Sequence, residues 1–178
     1  LLRHARTLDP TDPAIAFMLG GNYAQQGVSD RALSLLEEAY GADSTNLTYA
    51  RALSAGYIEA GRMQDALHIN ERLSEADPED DDVRYRLIQL YARTGELKKG
   101  IQLATELQKR FQPMPEAYGQ LTKMKIQLLA LSKDSVAVGR EYRAWAALYP
   151  EDRRPYYDWI LHLFQTGGAK EAEKQLAS

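Results

Sequence analysis

The chain has no cysteine. That excludes disulfides, thiolate nucleophiles and Cys-ligated metal sites. No apolar run approaches the ~18 residues of a membrane-spanning helix, and no apolar–polar alternation is long enough to argue for a strand. Neither sign of charge dominates. The 22 Lys and Arg against 25 Asp and Glu give a net charge of −3, so there is no basic footprint for nucleic acid or an anionic membrane. Histidine is scarce: His4, His68 and His162 lie too far apart to form a local ligand pair, and solvated or capping roles are expected. The pairs Gly20-Gly21 and Gly167-Gly168 belong to no phosphate-binding fingerprint after a strand. The acidic run Pro78 to Asp82 lacks the ligand spacing and glycine of a calcium loop and suits a helix start instead. No serine sits in a nucleophile elbow. These absences leave no expectation of enzyme activity, of a metal or of a cofactor. The first residue is Leu1, so no leader peptide can be read and both cytoplasm and bacterial periplasm stay open.

What the chain does have is periodicity. Gly27, Gly61 and Gly95 stand at equal steps of 34 residues, each followed five positions later by a small residue, Ala32, Ala66 and Gly100. Leu19, Leu53 and Leu87 keep the same step, as do Tyr23, Tyr57 and Tyr91. A fixed step of this length marks a repeat of two helices. Counting from Pro13, Leu47 and Asp81 gives repeats 13–46, 47–80 and 81–114. Residues 1–12 read as the tail of a preceding repeat. A fourth repeat, 115–152, ends at Pro150, four residues later than strict spacing allows, about one helical turn. The unbroken pattern Leu121, Met124, Leu128, Leu131 places that turn in its first helix, with Ser132 to Asp134 in the connection. A partial repeat, 153–178, carries Tyr156, Trp159, Gly167 and Ala172 in register. Leu1, Leu2 and Leu176 would lie bare at the ends, so a piece of a longer array is expected.

Local signals agree. Asp12 before Pro13 is a helix start, because the carboxylate accepts an orphan N–H and Pro suits the first turn. Ile15, Met18, Leu19 and Tyr23 share one helix face, and Gly27 ends the helix by taking positive φ. Ser29 is expected to cap the next helix. The residues Leu19, Tyr23, Ala32, Leu53, Tyr57, Ala66, Leu87, Tyr91 and Leu121 are expected in the core. First helices are predicted near 47–60, 81–94, 115–131 and 153–166, and second helices near 63–76, 97–111, 134–148 and 169–178. Tyr142 and Trp145 are expected to pack on the fifth repeat.

These columns resemble the tetratricopeptide repeat. Leu, a small residue and Tyr fall in its first helix and Ala in its second, and Pro78 closes the middle repeat. The resemblance covers essentially the whole chain, with departures at Ile88 and Arg84. It implies an all-α, right-handed α-α superhelical solenoid of antiparallel helix pairs, one continuous array over 1–178. It also implies a concave face lined by the first helices. Mapped onto this sequence, that face holds Phe17, Arg51, Tyr85, Gln89, Arg93, Lys123 and Tyr157, with Gln25, Glu59, Asp82, Gln127, Arg154 and Phe164 beside them. Arg86 joins the line as a further cation. The family's clamp for chaperone-tail carboxylates is not matched in any of the three available frames. In the first, Asp82 would repel a carboxylate.

The function expected from this reading is a non-enzymatic scaffold whose groove takes a peptide or folded partner. Rigid aromatics would anchor the partner and Arg and Lys would guide it, so it would be apolar with acidic flanks. The alternative is a structural or assembly module. It would be a spacer or self-associating array, such as the periplasmic scaffold part of a bacterial secretion or envelope complex.

Overall fold

The computed structural model describes residues 4, 6, 7 and 9–168. Among these residues run nine helices and no strand: α1 (Pro13–Gln25), α2 (Ser29–Ala42), α3 (Leu47–Glu59), α4 (Met63–Ala76), α5 (Asp81–Thr94), α6 (Leu97–Arg110), α7 (Pro115–Leu131), α8 (Ser135–Leu148) and α9 (Arg154–Gln165). The second helix expected over 169–178 lies outside the described residues, as do Leu1, Leu2 and Ala5. The chain forms two compact units, Leu1–Gly95 and Glu96–Ser178. The division falls between α5 and α6, inside the third repeat.

Start signals act much as the sequence suggests. Asp12 accepts the Ala14 N–H at 2.8 Å, Asn46 accepts those of Thr48 and Tyr49, and Asp80 accepts that of Val83 at 3.1 Å. Each satisfies donors the helix cannot pair internally. Ser29 does not cap α2. It is the first helical residue, and Val28 holds the cap position without a side-chain bond. Gly27, Gly61 and Gly95 take φ of 72°, 73° and 83°, a backbone region that costs other residues about 1–2 kcal/mol. In the fourth repeat the same place is held by Lys133, at φ 61°.

In the first unit α1 to α5 each pack on the next, and α1 also reaches α3. The core repeats by column. Leu53 and Leu87, in the same place on successive first helices, are 1% and 3% exposed, and Ala39 and Leu73 on the second helices are closed at 0% and 1%. Ala66 is fully buried, because a larger residue there would hold the helix axes apart. Behind it, the Asn70 amide donates to the Ser54 hydroxyl at 2.5 Å and to the Ala66 carbonyl at 2.7 Å, joining α3 to α4. Three expectations need correction. Met18 is exposed, and Tyr23 and Tyr57 are only half-buried. Their rings lie at the edge of the packing, where Arg31 and Arg62 stand over them at 5.7 and 4.4 Å. Tyr91 is buried and donates to Glu71 at 3.0 Å.

In the second unit α7 has 17 residues against 13 or 14 in the other first helices of full repeats. Ser132 closes it and Asp134 caps α8, so the extra turn lies where the spacing put it. Ile126, Leu129, Val138, Tyr142, Trp145 and Trp159 form one core. Tyr142 stacks on Trp159 with ring centres 6.3 Å apart, and burial, with the Asp158 charge adding, pushes its hydroxyl up to about 12. Trp145 seats against Gly119, where a Cβ would stand 2.7 Å from the indole. A polar chain crosses this core: Lys125 meets Glu141 at 2.7 Å and donates to Gln108 at 3.1 Å, Gln108 donates to Thr122 at 2.8 Å, and Thr122 donates to the Tyr118 carbonyl.

Ala66→Arg is expected to cost several kcal/mol, on the order of an unpaired buried charge. An unchanged melting temperature would contradict the register. Lys133→Gly should stabilise the second unit by about 1 kcal/mol by releasing left-handed strain. Chemical denaturation checks this, and a loss of stability would contradict it.

Candidate partner-binding face

Alternating burial along the first helices decides which side chains can meet a partner. On α5, Val83, Leu87, Ile88, Leu90 and Tyr91 are buried. The turn-by-turn remainder is Tyr85 and Arg86, both half-buried, then Gln89 and Arg93, both exposed. The spacing of Tyr85, Gln89 and Arg93 places them on one stripe. Burial, with the Asp81 charge adding, raises the Tyr85 hydroxyl above its ordinary value. Arg93 lies 3.7 Å from the Met63 sulfur, which ties the far end of the stripe to the start of α4.

Phe17, on α1, is half-buried and packs against Tyr49 of α3, with ring centres 5.1 Å apart and planes inclined by 36°. Arg51, on α3, meets the Asp80 carboxylate at 2.5 Å. Since Asp80 also caps α5, this pair couples the middle of one first helix to the start of the next. Burial alone would raise the Asp80 carboxyl, but the Val83 N–H and the Arg51 guanidinium outweigh it and hold the group below its usual value. Arg51 is therefore a structural cation before it is a recognition one.

In the second unit Lys123 pairs with Asp158 at 2.8 Å, linking α7 to α9, and lies 5.8 Å from the Trp145 ring centre. Arg154 bridges Glu116 at 2.6 Å and Asp152 at 2.9 Å. Tyr157, beside Asp158, is 67% exposed. Lys123 and Tyr157 thus lie on neighbouring first helices, one neutralised and one open.

Internal pairing is what a reading of single columns overlooks. Arg51, Lys123 and Arg154 each have a carboxylate partner on an adjacent first helix or at its start. A scan for opposite charges in neighbouring repeats would have found Glu116 and Arg154, which share the second repeat position. The aromatic partner Tyr49 and the polar chain through Gln108, Thr122, Lys125 and Glu141 have no such signature, because they join different columns. Among the described residues no group of three His, Asp or Glu side chains could hold a metal ion. No described helix is long and apolar enough to cross a membrane.

Residues 57–123 match the family model described as tetratricopeptide repeat. Among solved structures, a tetratricopeptide repeat protein from Parabacteroides merdae superposes with a TM-score of 0.71 at 19% identity, over 99% of this chain and 68% of that one. The MamA protein gives 0.66 at 18%, over 93% and 88%. YrrB, described as a TPR protein with an unusual peptide-binding site, gives 0.63 at 15%, over 99% and 89%. No curated protein matches the chain. The likeness at these identities is one of fold, an all-α helical repeat.

Arg51→Ala is expected to move the Asp80 carboxyl upward in a carbon-13 titration. A folded-state value held low adds stability above the unfolded carboxylate pKa and loses it as pH falls through the folded one. The stability gap between wild type and Arg51→Ala should therefore be present at pH 7 and shrink below about pH 4. An unmoved Asp80 would show that the pair does not form in solution.

Proposed function

We propose that this array of tetratricopeptide repeats is a non-enzymatic scaffold that holds a peptide or folded partner on its first-helix faces. The observation that carries the reading is the α5 stripe, where Tyr85, Arg86, Gln89 and Arg93 offer an aromatic, an amide and two guanidinium groups over a closed apolar core. A ring with few rotamers buries area at small entropic cost, and a guanidinium pairs well with carboxylates. Phe17 and Arg51 extend the same use of first-helix residues within the first unit, and Lys123 and Tyr157 do so in the second. The peptide-binding site described for YrrB supports such a role for this kind of fold.

Because Asp80 and Asp158 already compensate Arg51 and Lys123, the remaining guides are Arg86 and Arg93. The partner segment is then apolar with acidic residues at one flank, and its association weakens moderately as salt screens the two arginines.

A second reading, an assembly module, is favoured by α9, where Tyr156, Tyr157, Leu161 and Phe164 are all 48% or more exposed. Exposed large apolar side chains gathered on one helix are a feature of contact surfaces. Light scattering over a range of concentrations separates the two: a constant monomer mass supports the scaffold, and growth with concentration supports assembly.

A displayed peptide library gives the direct test. Enriched sequences should carry an aromatic or aliphatic core with Asp or Glu beside it. The double variant Tyr85→Ala, Arg93→Glu should bind them at least tenfold more weakly, about 1.4 kcal/mol, with helicity unchanged. Equal binding by this variant would remove the α5 stripe from the site.

A further inference from the structure

The fourth residue of the repeat changes along the chain, from Ala16 and Ala50 through Arg84 to Tyr118 and Tyr156. In α7 it is Tyr118, whose ring packs on the core that holds Trp145 and meets Tyr149 edge-on at 5.4 Å between ring centres. Tyr149 donates its hydroxyl to the Gln112 carbonyl, closing that seat. In α5 the position carries Arg84, 8% exposed. In α3 it is Ala50, and a cavity of about 250 Å³ opens beside it, lined by Tyr40, Leu47, Ala50, Arg72, Leu73 and Ala76 among others. Counted by the repeat, Leu73 and Ala76 hold in α4 the places that Trp145 and Leu148 hold in α8. Both substitutions make the second-repeat socket roomier.

Ala50 and Leu73, both buried, make its floor, and the exposed Ser44, Thr45, Leu47 and Ala76 stand around an open mouth. A closed apolar cavity on the order of 150 Å³ takes benzene, so this open socket has room for a phenol or indole ring. At the rim stands Arg72, exposed, with its guanidinium 5.5 Å from the Tyr40 ring centre and donating to the Tyr40 hydroxyl. A guanidinium carries five N–H donors in a planar fork, so one such bond leaves it able to meet a carboxylate.

We propose that the Ala50 socket receives an aromatic side chain of a protein partner, a Tyr or Trp with an Asp or Glu next to it, whose carboxylate pairs with Arg72. The occupant is read from the chain itself, because the fourth repeat seats its own Tyr118 ring at the equivalent position. The socket shares no residue with the α5 stripe and is a second contact point on the first unit.

The probes are indole and the capped dipeptides N-acetyl-Trp-Glu-amide and N-acetyl-Trp-Lys-amide, titrated into isotopically labelled protein. Saturable amide shifts centred on Thr45, Ala50, Leu73 and Ala76 are expected, with Trp-Glu at least threefold tighter than Trp-Lys. Ala50→Tyr supplies the ring from within and should raise the melting temperature and abolish the shifts. Arg72→Glu should reverse the order of the dipeptides and leave indole unaffected. Tyr85→Ala should leave every shift in place, which separates this site from the stripe. Should Ala50→Tyr fail to fold, Ala76→Phe closes the same socket from α4 and is judged by the same loss of shifts. Unmoved amides at millimolar indole, shifts that survive the filled socket, or equal affinity for the two dipeptides would each overturn the proposal.

Discussion

The two helices of a pair approach where one of them offers almost no side chain, and the rest of each unit follows from that distance. Ala66 is fully buried, and Gly119 leaves room for the Trp145 indole, since a Cβ there would stand 2.7 Å from the ring. Close-packed interiors transmit such constraints, since a single added methylene must displace something. Once the axes are fixed, the large residues at recurring positions, such as Leu53, Leu73 and Leu87, close over the gap without choice of partner. Burying each is worth roughly 1.5–3 kcal/mol, which helix propensity alone could not supply.

The same geometry governs the face a partner would see. Within each unit, consecutive first helices lie near enough for long side chains to bridge them, and the chain uses this for Arg51 with Asp80, Lys123 with Asp158 and Arg154 with Glu116. Water and salt screen exposed pairs of this kind, so each adds little to stability. Their larger effect is to remove charge from the face. What remains in the first unit is the α5 stripe of Tyr85, Arg86, Gln89 and Arg93, and in the second the open ring of Tyr157. The second repeat adds a contrast, for the small Ala50 leaves open a seat that Tyr118 fills in the fourth.

Helix positions were legible because two independent signals coincide in this sequence. The 34-residue step fixes the register, and Gly27, Gly61, Gly95 and Asp12 punctuate it. Even the irregular fourth repeat could be read, since Leu121, Met124, Leu128 and Leu131 continue one stripe past the place where α1, α3 and α5 end. The misplaced residues are amphipathic or sit at boundaries. Tyr23 and Tyr57 carry polar tips and share their rings with arginines, so a repeated spacing does not carry them fully inside. Val28, rather than Ser29, precedes α2, a one-residue difference of the size at which helix ends fray. The candidate face was legible as a set of columns but not in its pairing. Whether Arg51 is available depends on Asp80, twenty-nine residues away, and on the approach of two helices. The two-unit division at Gly95 has no counterpart in the repeat spacing.

Amide hydrogen exchange in the native state tests the helix-pair register most directly. The amides of Leu128 to Leu131 should be protected like the rest of α7, as should those around Ala66 in α4, while Gln64 and Asp65 at the start of α4 and Ser135 and Val136 at the start of α8, whose N–H groups have no partner within the helix, exchange quickly. Rapid exchange through Leu128 to Leu131 would contradict the extra turn, and strong protection at Gln64 and Asp65 would contradict the register.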